Sequence, residues 1–188
     1  MTRSREEEKE AIIRDLRVNT GRDLAEWVDI VETEGPEETE ERLEWLREIH
    51  SLDFLQAQTI VEETEHPSGR LPRTDEGRVD AQFAGKDDLQ PTYERLLEAV
   101  SKLPEASVQP HYSYIALMRG DQEFGILYVG EEHLDLGLNL MDVEPTSRLE
   151  PAGIFGALRI THRVTLRASS HIDDDVVGWI QQAYEANE

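Results

Sequence analysis

The stretch Leu158-Arg159-Ile160-Thr161-His162-Arg163-Val164-Thr165-Leu166-Arg167 decides how this chain is read. Side chains along a strand alternate between two faces. Leu158, Ile160, His162, Val164 and Leu166 then share one side, and Arg159, Thr161, Arg163, Thr165 and Arg167 share the other. The apolar side requires a covering layer. The second side sets a positive stripe into a chain whose formal net charge is −22.

Working outward, 188 residues suffice for one large domain or two small ones. Hydrophobic residues at 38% supply a modest core, and recurring apolar periods argue against the disorder that high charge would otherwise suggest. Asp and Glu number 41 against 19 Lys and Arg, and only Lys9, Lys86 and Lys102 are lysines. Acid excess with scarce lysine fits a halophilic, archaeal-type cytoplasmic protein. At molar salt the Debye length is roughly 3 Å, so crowded carboxylates repel little. The absence of cysteine excludes disulfides, thiolate metal sites and cysteine nucleophiles. No apolar run approaches the ~20 residues of a membrane span, and the N-terminus lacks a signal-peptide core.

The expected fold class is α+β. Residues 1–65 form a small helical domain, residues 66–78 a linker, and residues 79–188 an α+β domain. Four short amphipathic helices are expected in the first part. Ile12, Ile13, Leu16 and Val18 stripe the first. Leu24, Trp27, Val28 and Val31 stripe the second, with Thr20 or Asp23 as its cap. Leu43, Trp45, Leu46 and Ile49 mark the third, and Phe54, Leu55, Ile60 and Val61 the fourth. A DNA-reading helix-turn-helix around Ser51 is disfavoured, because Asp53 to Glu65 offers no basic residue to meet phosphates. Glu63 and His66 have the Glu-x-x-His spacing of di-iron bundles. The second motif and the further glutamates that such sites need are missing, so a solvated acidic face is expected.

The proline- and glycine-bearing stretch 66–78 reads as the linker. Beyond it, Leu89, Tyr93, Leu96, Leu97, Val100 and Leu103 stripe a helix capped by Asp87 or Asp88. The period then becomes two. Strands are expected at Tyr112–Met118, Phe124–Val129 and Leu134–Leu140, joined by tight turns into an antiparallel meander. The stretch quoted above makes the fourth strand, after a long loop from Met141 to Gly156. A last helix runs from about Asp173 to Ala186 on Val176, Val177, Ile180 and Tyr184.

The strings F-A-G-K (83–86), D-L-G-L-N-L (135–140), P-T-S-R-L-E (145–150) and T-H-R-V (161–164) resemble the C-terminal domain of a widespread uncharacterised prokaryotic family. T-G-R-D-L-A-E-W (20–27) and E-W-L-R-E-I-H-S-L (44–52) are similar to the small helical domain that often precedes it. The resemblance implies the two-domain architecture and no reaction. More distantly, the C-terminal domain is similar to small frataxin-like α+β proteins, some linked to iron handling. The family's glycine- and histidine-rich turn is replaced here by Ser51-Leu52-Asp53-Phe54, which weakens a metal role for that turn.

Among the motif residues, Asp135, Glu150 and His162 are expected to be structural. A cross-strand pair such as Asp135 with Arg163 is one such role, and His162 belongs to the core. Arg148, Arg159, Arg163 and Arg167 are the candidate anion-binding residues. Successive arginines of the stripe, four residues apart, lie about 13 Å apart along a strand, and their planar forks suit carboxylate or phosphate. Tyr112 and Tyr114 on the same face would stack single-stranded bases, yet the acidic chain disfavours nucleic acid. His111, His133 and His162 could converge across the sheet, but spacing alone cannot place them together. No nucleophile elbow, phosphate-binding glycine loop or H-E-x-x-H motif is present, so no catalytic residue, metal or cofactor is assigned. The expected function is non-catalytic binding of a protein or an anionic small molecule. Iron handling and single-stranded nucleic-acid binding are the alternatives, with no membrane partner.

Overall fold

The computed structural model describes residues 5–153 and 160–186. They divide into two compact units, with the boundary between Arg73 and Thr74. Among the described residues there are seven α-helices and a six-stranded sheet.

The first unit holds α1 (Arg5–Thr20), α2 (Leu24–Glu34), α3 (Thr39–Glu48) and α4 (Phe54–Glu65). Asp23 caps α2 through a reciprocal capping box with Glu26, and Asp53 caps α4 in the same way with Gln56. Each box satisfies amide hydrogens that a helix start leaves open. Leu24, Trp27, Val28 and Val31 are buried, as their spacing predicts, together with Leu16, Leu46, Ala57, Ile60 and Val61. Thr20 serves as acceptor for the Trp27 indole N–H at 2.8 Å. Four residues expected inside lie outside: Val18, Ile49, Phe54 and Leu55 are exposed. Glu63 departs the other way. Expected on a solvated face, it is buried, and its Oε1 accepts from the Ser68 N–H and hydroxyl, both at 2.9 Å. That contact folds the start of the 66–73 stretch back onto α4, and Arg70 pairs with Glu6 and Glu10 of α1.

The second unit opens with α5 (Asp75–Phe83), capped by the Thr74 hydroxyl, so a helix occupies the last residues of the expected linker. A short 3-10 turn at Asp87–Leu89 leads into α6 (Gln90–Val100). The strands are β1 (Ala106–Pro110), β2 (Ile115–Arg119), β3 (Gln122–Val129), β4 (Leu134–Leu138), β5 (Glu150–Pro151) and β6 (His162–Leu166), and α7 (Asp174–Ala186) closes the chain. The order is β1-β2-β3-β4-β6-β5, antiparallel at every junction. The sheet therefore has six strands rather than four. β1 carries a single large apolar residue, Val108, and β5 is two residues long; neither shows an apolar period. The unit is α+β, as its period changes imply.

On one sheet face Leu134, Leu136, Leu138 and Leu140 pack with Val164, Leu166 and residues of α5, α6 and α7. The opposite face has a smaller cluster of Tyr114, Ala116, Ile126, Ala152 and Ile160. Ile160 thus departs from the alternation that His162, Val164 and Leu166 keep. The crossing occurs at Thr161. Its hydroxyl accepts from the Leu140 N–H at 2.8 Å and lies 2.9 Å from Leu140 O and 2.8 Å from His162 Nδ1. Gly137 makes room for Ile160, because a Cβ there would meet Ile160 Cγ2 at 2.9 Å.

Two glycines separate packing from propensity. A Cβ on Gly125 would meet the Gly137 carbonyl oxygen at 2.9 Å, whereas one on Gly178 in α7 meets nothing within 4 Å. Gly125→Ala is expected to cost about 1–3 kcal/mol through overpacking. Gly178→Ala is expected to add about 0.4–1 kcal/mol. Urea unfolding of the two variants checks the opposite signs.

Glu123 of β3 pairs in register with Met118, and burial pushes its carboxyl up to about 7 from an ordinary 4.5. Between those values the folded state holds a proton that the unfolded chain has released. Stability therefore falls as pH rises through that window. Thermal scans of Glu123→Gln should match the parent near pH 4.5 and melt higher at pH 8; an equal difference at both pH values would refute this.

Candidate functional site

A cleft of about 440 Å³ lies where the polar face of β6 meets the loop before β5 and the start of α7. Ser147, Arg148, Glu150, Thr165, Ser170, His171 and Asp173 line it. Each element delivers its side chain for a local reason. Leu149 is fully buried, so its neighbours Arg148 and Glu150 point away from the core. Thr165 alternates with the buried Val164 and Leu166. A 3-10 turn at Ser169–His171 turns the chain from β6 toward α7, where the Asp173 carboxylate accepts from the Val176 N–H at 3.2 Å.

The charges in and beside the cleft are ordered into pairs. Arg148 donates to Asp173 Oδ2 at 2.7 Å and to the His171 carbonyl at 3.0 Å. That hydrogen bond holds the Asp173 carboxyl below the usual carboxylate range, with slight desolvation opposing it. Arg163 donates to Glu150 Oε2 at 2.6 Å, which holds the guanidinium above its usual range; burial opposes and Asp135 adds to the effect. Thr165 donates to Asp135 Oδ1 at 2.7 Å, and His133 Nε2 lies 3.2 Å from Asp135 Oδ2. Asp135 is nearly buried, so both of its oxygens are satisfied within the sheet.

Arg148, Arg163, Asp135 and Glu150 therefore meet in one neighbourhood, joined by Thr165, Ser170, His171 and Asp173, which sequence reasoning had not singled out. The direct partner of Arg163 is Glu150, opposite it in register, while Asp135 faces Thr165. Arg167 is exposed and makes no ion pair among the described residues. Arg159 lies outside the described residues. His162 is buried beside Thr161 on the leucine side. Tyr114 is buried and stacks on His111 with centroids 4.4 Å apart, and the Arg78 guanidinium lies 4.2 Å over Tyr112. Burial, then Arg78, pushes the His111 imidazole below its usual value. His111, His133 and His162 have separate partners. Among the described residues no three His, Asp or Glu side chains are grouped to hold a metal ion. No helix among them is long and apolar enough to cross a membrane.

The second unit is thus an antiparallel α+β domain with a polar, ion-paired cleft at the β5–β6 edge. Residues 79–187 match the family model described as a domain of unknown function, DUF5655, and the chain belongs to that family. Residues 9–66 match a second model, a domain of unknown function, DUF4287. No curated protein and no solved structure matches the chain.

The Arg163–Glu150 contact joins neighbouring strands at a partly exposed edge. A double-mutant cycle of Arg163→Ala and Glu150→Ala should give a coupling of about 0.2–1 kcal/mol, shrinking as salt is raised.

Proposed function

We propose that this chain is a non-catalytic binding protein whose C-terminal domain takes a small polar molecule carrying a carboxylate or phosphate group. The supporting observation is the cleft itself. Its volume, about 440 Å³, lies in the range of small-ligand pockets, though polar groups rather than aromatic rings supply its walls. A guanidinium has five N–H donors in a fixed fork. Arg148 uses two of them on Asp173 and His171 and lies 3.9 Å from Asp175 Oδ2, so three carry no hydrogen bond. Exposed Arg167 adds positive potential on the same strand face as Thr165 and Arg163.

The hydroxyl chemistry favours binding over attack. The Thr165 proton is committed to Asp135, so its oxygen presents lone pairs to the cleft. His171 Nδ1 lies 3.4 Å from the Arg167 backbone N–H, with the imidazole as acceptor. Thr165 is thereby set to accept from a ligand's donor, and neither contact primes a nucleophile with a base.

Calorimetric titration of the whole chain with butyrate and with inorganic phosphate tests the reading. Saturable binding of either, weakened at least tenfold by Arg148→Ala, is the expected result. Absence of saturable binding, or binding indifferent to Arg148→Ala, would overturn it.

A further inference from the structure

The cleft proposed to take an anion at Arg148 also carries a carboxylate oxygen unpaired among the described residues. Glu150 gives only Oε2 to Arg163, and its Oε1 has no partner among the described residues. Thr165, on the same lining, has acceptor lone pairs and is backed by the buried Asp135 carboxylate. Asp173 brings a second carboxylate to the lining, with its two oxygens engaged by Arg148 and the Val176 N–H. The lining thus carries one guanidinium against two carboxylates, with Arg163 paired to Glu150 beside it. A ligand anionic at both ends would meet Arg148 at one end and repulsion from Glu150 at the other. A purely cationic one would leave the three remaining Arg148 donors unmet.

Resting on the anion-binding reading of this cleft, we propose that its ligand is a small zwitterion of the amino-acid type. The carboxylate end pairs with the Arg148 fork, and an ammonium end donates to Glu150 Oε1 and Thr165 Oγ1. Opposite poles within one cleft discriminate by what they repel as well as by what they attract. Charge-assisted hydrogen bonds at both ends also fix the orientation of a flexible molecule. The Ser147 and Ser170 hydroxyls lie on the same lining and serve donors or acceptors along the ligand's length.

Matched probes test this on the whole chain by calorimetry, with the histidine ring signals followed by NMR. The series is glycine, 4-aminobutyrate and 6-aminohexanoate, against butyrate, hexanoate and hexylamine. At least one amino acid should bind saturably and at least tenfold tighter than the plain acid of the same length. Glu150→Gln should abolish that tenfold preference while leaving plain-acid binding in place, and Arg148→Ala should remove both. Equal affinity for an amino acid and its plain acid would overturn the zwitterion and leave the anion site standing. Hexylamine binding as tightly as the amino acids would also overturn it. Loss of saturable binding for every probe, acids included, would bring down both readings. The wild-type comparison decides the matter even if a variant fails to fold.

Discussion

The second domain depends on the hydrogen bonds of Thr161. Its hydroxyl accepts from the Leu140 N–H and reaches the Leu140 carbonyl, so the chain entering β6 is tied to the end of β4 before regular pairing begins. Above the tie, Ile160 lies over Gly137 on one face; below it, His162, Val164 and Leu166 point to the other. A regular strand cannot do this, because its side-chain period of two would keep Ile160 and His162 together. The irregularity lets one strand close two apolar clusters. It also explains why β4 is buried along its whole length although the helices cover a single face.

What remains of the outer face is polar, and it lies toward the β5 edge. Asp135 is buried beside it and would be costly without partners. His133 and Thr165 satisfy it from two sides. Arg163 then finds its partner in Glu150, the residue its register places opposite, and Arg148 finds Asp173 beyond the sheet. Arg163 and Arg148 are therefore matched by Glu150 and Asp173, while Arg167 is exposed without an ion pair among the described residues. Arg148, Glu150 and Thr165 retain unused hydrogen-bonding capacity.

The parts legible in the sequence are those whose period is uninterrupted. The α2 stripe, the leucines of β4 and the lower half of β6 are buried as their spacing requires. The parts missed have little apolar periodicity. β1 is an edge strand with one large apolar side chain, β5 is two residues long, and α5 begins inside a proline- and glycine-bearing stretch. For α5 a signal was present: Thr74 ahead of Asp75 and Glu76 is a helix start, with Val79 and Phe83 one turn apart. Glu63 was misplaced because a single glutamate on an acidic helix has no marker of burial; the Ser68 that satisfies it lies outside the helix. For the site, alternation placed Arg163, Thr165 and Arg167 on one face, but the partners come from residues about 13 to 30 positions away. Spacing carries no information about those.

The way the cleft is anchored bears on how it would work in an acidic chain. Exposed ion pairs weaken as salt rises, so Arg148–Asp173 and Arg163–Glu150 alone would let the loop before β5 drift at high ionic strength. Leu149 lies between their two loop residues and is fully buried in the main core, a contact that salt does not screen. Its burial directs Arg148 and Glu150 outward on either side of one fixed point. The charges then set the fine orientation of each head group, while the apolar anchor sets where the wall stands. A wall held in this way is largely preorganised, and a ligand loses less of its binding energy to ordering the site.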